Sequence, residues 1–208
     1  MKTTLSVLSV LTLTLVTACS NVDRSHALGN PEVSGKTIAQ QVCSACHGAT
    51  GNSTSPEYPK LAGQQPEYLV TQVGNIKHHI RTDRLSQEIM AGMTRDLTDE
   101  QLSEIAVYFY HQPLVKGVSS TAATEVGENI YRNGIPEKTV LACIACHGPT
   151  AEGIGPFPRL AGQHKAYLVK QLTVFRDTHG RPDTPMTEVS RQLSDAEIQA
   201  LTDYLSNL

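Results

Sequence analysis

Apolar side chains recur every three or four residues in two stretches of the chain, one near the end of each half. This spacing places them on one face of an α-helix. They are Leu102, Ile105 and Phe109 in the first stretch, and Ile198, Leu201 and Leu205 in the second. We find no stretch with the alternation typical of a β-strand, so the pattern predicts an all-α fold.

Helix start signals precede both stretches. Thr98 with Gln101, and Ser194 with Glu197, have the spacing of a capping box, in which two side chains satisfy free backbone N–H groups. Pro66 suits the first turn of a further helix, because its fixed φ matches the helical value. The signals therefore predict helices that begin near Pro66, Thr98 and Ser194.

The chain repeats itself. Matched segments are Gly35 with Gly127, 59–64 with 158–163, 68–70 with 167–169, and 97–99 with 193–195. A repeat of this extent indicates a duplicated domain. We predict two tandem domains, at 35–112 and 126–208. Each is expected to wrap around a covalently bound cofactor, for the reason given by the motif described next. A linker over 113–125 joins them, and an insertion at 133–141 is particular to the second.

Each predicted domain contains the pentapeptide C-x-x-C-H. The residues are Cys43, Cys46 and His47, and Cys143, Cys146 and His147. Two thiols at this spacing add across the vinyl groups of a porphyrin, and the next residue supplies an imidazole to the iron. Structural zinc sites or a thioredoxin-like dithiol are the alternatives, but neither explains a histidine directly after both pairs. The motif predicts two covalently bound haem c groups, with a short helix running into each.

The repeat also selects a sixth ligand for each iron. Met186 is the only methionine of the second domain and stands seven residues before Leu193. Seven residues before the matched Leu97 stands Met90, which is therefore favoured over Met93. In the alternative, Met93 binds the iron and Met90 fills the core. A thioether ligand raises the reduction potential relative to a second histidine.

The remaining histidines do not match between the halves. His79 or His179 would be the next candidate if a methionine assignment failed.

The first residues have the features of an export signal over 1–18. Lys2 precedes an apolar stretch at 5–16 that is too short to span a bilayer comfortably. The sequence VTAC at 16–19 resembles the processing box of bacterial lipoproteins. We expect a lipid anchor on Cys19, a flexible tether over 19–34 and a periplasmic, membrane-anchored protein. An ordinary secretory signal is the alternative, but it leaves the thiol of Cys19 unexplained.

Composition excludes other classes. The formal net charge is -3, and the sequence lacks a basic patch, which argues against a nucleic-acid partner. Haem attachment uses four of the five cysteines, so none remains for a disulfide framework. Tryptophan is absent and aromatic residues make up 5% of the chain, which is tolerable where two porphyrins supply much of the core.

The chain resembles the dihaem cytochrome c4 family over residues 35–208. The resemblance is carried by both haem motifs, both P-x-L-A-G-Q segments, Met90 and Met186, and YRNGIPEK at 131–138. It implies two fused class I cytochrome c domains with low-spin His/Met haems, each partly exposed at one edge. It also implies that the carbonyls of Pro59 and Pro158 accept a hydrogen bond from the axial histidines. The alternative for these prolines is a plain turn.

The predicted function is one-electron transfer between respiratory membrane complexes or periplasmic redox partners, by a carrier and not an enzyme. One alternative is the electron-accepting cytochrome subunit of a periplasmic dehydrogenase, such as a thiosulfate or alcohol dehydrogenase. Others are a dihaem peroxidase or a small-ligand sensor. Both of these need an iron with an open position, and the placement of Met90 and Met186 argues against it.

Overall fold

The computed structural model describes residues 28–115, 124–177, 180–181 and 184–208. Within these ranges the chain is helical and has two isolated β-bridges but no strand, in agreement with the predicted all-α fold. The predicted signal peptide, Cys19 and residues 116–123 of the predicted linker lie outside the described residues. Among the described residues, none of the helices is long and apolar enough to cross a membrane.

Over residues 28–115, the first half has five α-helices and two π-helical turns. In chain order these are α1 (Gly35–Ile38), a π-turn (Ala39–Cys43), α2 (Ser44–His47), α3 (Pro66–Lys77), a π-turn (Ser86–Met90), α4 (Ala91–Thr94) and α5 (Asp99–Tyr110).

The second half has the same plan. Its elements are α6 (Thr124–Asn133), a 3₁₀ turn (Pro136–Lys138), α7 (Ile144–His147), α8 (Lys165–Arg176), α9 (Pro185–Ser190) and α10 (Asp195–Ser206). Helix α6 begins at Thr124, so the last two positions of the predicted linker are helical.

The predicted helix starts are present. Thr98 accepts a hydrogen bond from the N–H of Gln101, whose side chain accepts from the N–H of Thr98, both at 3.1 Å. Ser194 and Glu197 form the equivalent capping box at the start of α10. Pro66 occupies the first turn of α3. A good cap stabilises its helix by about 1 kcal/mol, so these local signals fix where the long helices begin.

The first and last helices of each half cross closely, and glycine permits the crossing. A Cβ on Gly35 would overlap the carbonyl of Gln101 on α5, and one on Gly127 would overlap the carbonyl of Ala200 on α10. The two glycines occupy matched positions of the repeat. They bring together the apolar faces of α1 with α5 and of α6 with α10, and these faces form much of the two cores.

The second haem motif differs from the prediction of a helix running into it. In the first half, helical backbone continues from Gly35 to His47. In the second half, α6 ends at Asn133, a 3₁₀ turn follows at Pro136–Lys138, and helical backbone resumes only at Ile144 within the motif. The insertion at 133–141 causes this, because Ile135 and Val140 exchange hydrogen bonds of 2.9 and 3.1 Å and close a loop.

The predicted tether is packed against the first half from Leu28 onwards. Val33 is buried in its core, and Gln101 Nε2 donates to the carbonyls of Asn30 and Val33 at 2.7 and 2.9 Å. Ser34 caps α1 through the N–H of Thr37. Buried polar bonds of this kind hold residues 28–34 in place, and residues 19–27 lie outside the described part.

Candidate haem sites

One continuous cavity of about 510 Å³ runs through both halves. Its lining is largely apolar, as is usual for a site that holds a large cofactor. The eight residues predicted to hold the haems all line it: Cys43, Cys46, His47, Met90, Cys143, Cys146, His147 and Met186. The fold therefore brings together side chains that are widely separated along the chain.

The two motif histidines are buried and have one free ring nitrogen each. His47 is 5% exposed and His147 is 6% exposed. Their Nδ1 atoms lie 2.9 Å from the carbonyl oxygens of Pro59 and Pro158. A carbonyl only accepts, so each Nδ1 carries a proton, and burial lowers the pKa of both imidazoles. The neutral ring therefore has an unprotonated Nε2, which is the form that binds a metal.

The cysteines of each motif lie one helical turn apart. Cys43 directly precedes α2 and Cys143 directly precedes α7, so Cys46 and Cys146 follow on the same face. None of the four is paired in a disulfide. Burial raises the pKa of the Cys43 and Cys143 thiols to about 11, so both are neutral at pH 7 in the cofactor-free chain.

The two methionines are held by matching hydrogen bonds. Thr94 Oγ1 donates to the carbonyl of Met90 at 2.7 Å, and Ser190 Oγ donates to the carbonyl of Met186 at 2.6 Å. Thr94 and Ser190 are buried, 3% and 0% exposed. Both methionines are partly buried and face the same cavity. Met90 and Met186, which occupy matched positions of the repeat, thus also have matching hydrogen bonds at their backbone carbonyls.

The alternative ligands lie elsewhere. Met93 is 39% exposed and is not among the residues that line the cavity. His79 is exposed and its Nδ1 lies 2.6 Å from Gln87 Oε1, also away from the cavity. His179 lies outside the described residues. The geometry therefore favours Met90 over Met93 and His79 in the first half.

Two buried arginines lie between the halves, and both line the cavity. Arg81 is 9% exposed and Arg181 is 6% exposed. Arg81 forms an ion pair of 2.6 Å with Asp83 and extends toward Gln171 of the second half. Arg181 donates to Gln171 and to Gln72 of the first half.

The buried charges leave a place for an anionic cofactor. Among the described residues, Asp83 is the single buried carboxylate beside these two guanidinium groups. Burial opposes its ionisation, but Arg81 holds the pKa of Asp83 below its usual value. The buried amide nitrogen of Gln171, in the same cavity, has no hydrogen-bond partner. Uncompensated positive charge and an unused donor fit a macrocycle that bears carboxylates, so the residues present fit haem.

Sequence reasoning overlooked Arg81 and Arg181. A signal was available, because they occupy comparable positions in the repeat, after the matched Gln72 and Gln171. Arginine alone is mostly a surface residue, so its sequence position does not indicate that it is buried.

Comparison with known proteins gives consistent matches. The family model described as Cytochrome c matches residues 33–112 and 126–208. Cytochrome c4 of Thiocapsa roseopersicina is 39% identical over 186 residues, which are 87% of this chain and 94% of that protein. A thiosulfate dehydrogenase electron acceptor of Stutzerimonas stutzeri (strain A1501) is 32% identical over 181 residues, 84% of this chain and 82% of that protein.

A solved structure matches as well. The crystal structure of reduced recombinant cytochrome c4 from Pseudomonas stutzeri superimposes with a TM-score of 0.76 at 38% identity, and covers 84% of this chain and 96% of that chain. The sequence matches and the structural match therefore both extend over the two halves of the chain.

Proposed function

The chain belongs to the cytochrome c family, and within it to the dihaem cytochrome c4 group, and on this premise we propose how its residues serve electron transfer. It carries two covalently bound haem c groups and transfers single electrons between redox partners. We assign thioether bonds to Cys43, Cys46, Cys143 and Cys146. His47 with Met90, and His147 with Met186, are the proposed axial pairs.

One observation carries this assignment. In both halves, a histidine with Nδ1 on a proline carbonyl and a methionine with its own carbonyl on a buried hydroxyl face the same cavity. The haem supplies the one-electron couple of its iron when bound. The proline carbonyls fix the orientation of the imidazoles and raise their basicity. The apolar lining would exclude water, and the thioethers of Met90 and Met186 would leave neither iron with an open position, as a carrier requires.

Arg81, Arg181 and the amide of Gln171 are proposed to bind the carboxylates of the haems. Their charge and unused donor support this role, and both arginines contact side chains of the opposite half. A bound carboxylate there would balance the second guanidinium charge, because Asp83 balances only one of the two.

The proposed location is the periplasm, with a lipid anchor on Cys19. The support is the VTAC sequence at 16–19 and the use of the other four cysteines for haem. Cys19→Ser should release the protein from the membrane fraction into the soluble periplasmic fraction. A wild-type protein that is already soluble and has a free Cys19 thiol would contradict the anchor.

Two measurements test the carrier role: the mass of the intact protein, and the absorption spectrum of its reduced form after carbon monoxide is added. The intact protein should contain two haem masses that acid acetone does not extract. Its reduced form should not bind carbon monoxide, because each iron would already be held by a histidine and a methionine. A single haem would contradict the cofactor assignment, and ready binding of carbon monoxide would favour a peroxidase or a sensor over a carrier.

A second candidate is the electron acceptor of a periplasmic dehydrogenase. The similarity to thiosulfate dehydrogenase electron acceptors supports it. Purification from membranes in mild detergent should retain a dehydrogenase if this role holds, and an oxidase or another membrane complex if the chain is a general shuttle.

A further inference from the structure

A single peptide unit connects the axial histidine of the first domain to a glutamine of the second. The carbonyl of Pro59 lies 2.9 Å from Nδ1 of His47. The N–H of Lys60 belongs to the same peptide unit, and it donates to Oε1 of Gln163 at 2.9 Å. The interface between the domains is therefore one peptide away from the proposed iron ligand.

The arrangement is reciprocal. The carbonyl of Pro158 lies 2.9 Å from Nδ1 of His147. The N–H of Arg159, in the same peptide unit, donates to Oε1 of Gln64 at 2.7 Å. Gln64 and Gln163 are the matched last residues of the two P-x-L-A-G-Q segments. Each domain thus supplies one glutamine to the proximal peptide of the other.

Both glutamines are held in one orientation. Gln163 Oε1 also accepts from the N–H of His164 at 3.0 Å, and its Nε2 donates to the carbonyl of Lys60 at 2.9 Å. Gln64 makes the same three bonds, to Gln65 and Arg159. A backbone N–H is only a donor, so the atom that faces it is the amide oxygen. With 6% and 7% of their surface exposed, Gln64 and Gln163 are shielded from competing water.

A hydrogen bond at one end of a peptide unit affects the other end. The C–N bond is conjugated, so an acceptor on the N–H increases the negative charge on the carbonyl oxygen. A more negative carbonyl attracts the Nδ1 proton more strongly and makes the imidazole a more basic ligand. A more basic ligand favours the oxidised iron and lowers the reduction potential.

We propose that Gln163 lowers the reduction potential of the first haem and Gln64 that of the second, each acting across the domain interface. They are positioning residues, because neither reaches the iron. The proposal rests on the proposed axial roles of His47 and His147. It makes the potential of each haem depend on the docking of the other domain.

The test is a redox titration of the dihaem protein with Gln163→Met, which preserves side-chain length and removes the amide. We expect the potential of the first haem to rise and that of the second to stay unchanged. Gln64→Met should give the opposite pattern. Paramagnetic NMR assigns the potentials by following the methyl resonances of each haem separately.

Gln65→Ala is the matched control. Its Nε2 donates to the carbonyls of Glu152 and Gly153 at 3.1 Å, so it crosses the same interface without contacting either proximal peptide. We expect both potentials to stay at their wild-type values in this variant. If it shifts either potential as much as Gln163→Met does, general loosening of the interface explains the effect and the proposal is wrong.

Ligation is monitored in the same samples through the weak sulfur-to-iron charge-transfer band. If the band persists and Gln163→Met leaves the first potential unchanged, the tuning role is refuted and the carrier function stands. If wild-type protein lacks the band, the proposed axial ligands themselves are wrong. Should Gln163→Met fail to assemble, Gln163→Leu carries the same prediction for the first haem, and Gln64→Met tests the proposal independently at the second haem.

Discussion

Thr94 Oγ1 donates a hydrogen bond of 2.7 Å to the backbone carbonyl of Met90, one helical turn earlier in the chain. Ser190 makes the same bond to Met186 at 2.6 Å. Met93 lies within the same short segment but faces solvent. The hydroxyls thus mark the methionine that faces the cavity in each half, and the first prediction follows from this distinction.

Met90→Ala should remove about half of the sulfur-to-iron charge-transfer absorbance, because one of two thioether ligands is lost. It should also lower the potential of the first haem and allow carbon monoxide to bind there. Met186→Ala should have the same effects at the second haem. Met93→Ala serves as the control and should change little. If Met93→Ala abolishes the first site's share of the band, the choice between the two methionines is wrong, although electron transfer remains the function.

Arg81→Met should destabilise the fold by roughly 3–5 kcal/mol, the usual loss when one partner of a buried ion pair is removed. Asp83 would then be buried without its 2.6 Å partner. Thermal unfolding of the dihaem protein measures the loss. Arg84→Met removes an exposed arginine that pairs with Glu88, and it should change stability by less than about 1 kcal/mol. Equal effects of the two substitutions would contradict the buried pairing.

The same ion pair predicts a pH dependence. Arg81 holds the pKa of Asp83 below its usual value, so the unfolded chain takes up this proton more readily than the folded chain. The stabilisation is present above the ordinary carboxyl pKa and is lost as the pH falls through it toward the lower folded value. Asp83→Asn should remove this part of the acid sensitivity, measured as unfolding temperature against pH. An unchanged profile would mean that other carboxylates cause it.

His164 should make the domain interface sensitive to mild acid. Its Nε2 lies 2.9 and 3.0 Å from Oγ and the carbonyl of Ser53, and burial together with nearby Lys60 lowers the pKa of its imidazole. The unfolded histidine protonates first, so stability is full above its ordinary pKa and falls as the pH drops through that value.

His164→Gln introduces the residue type found at the matched position, Gln65, and should flatten the profile between about pH 7 and pH 5, which spans the ordinary histidine pKa. The reciprocal Gln65→His variant should steepen it. If His164→Gln leaves the slope unchanged, the titrating group lies elsewhere.

Gly127→Ala should destabilise the second domain, because the added methyl group overlaps the carbonyl of Ala200 on α10. Overpacking of this kind costs about 1–3 kcal/mol. Gly74→Ala is the control, since nothing lies within 4 Å of a Cβ there and alanine is the better helix former. It should stabilise α3 by up to about 1 kcal/mol. Thermal unfolding distinguishes the two, and equal signs would contradict the close crossing of α6 and α10.

The sequence by itself predicts those features that depend only on neighbouring residues, namely the haem-attachment motifs and the helix caps. The spacing of Cys43, Cys46 and His47 is set by one haem and one helical turn, so the motif predicts the attachment site without a fold. The capping boxes at Thr98 and Ser194 involve bonds over three residues, and the structure has both. The internal repeat adds one prediction that local motifs do not give. It makes Met90 the counterpart of Met186, because both stand seven residues before matched leucines.

Tertiary structure alone decided how the halves meet. Lys60 and Gln163 are 103 residues apart, and their contact exists only once both domains have folded and docked. The burial of Arg81 and Arg181 likewise depends on neighbours from the opposite half. The closed loop at 135–140 depends on a backbone pairing that helix propensity does not predict. Local patterns determine the elements because they involve neighbouring residues, whereas burial and long-range hydrogen bonds depend on atoms that only folding brings together.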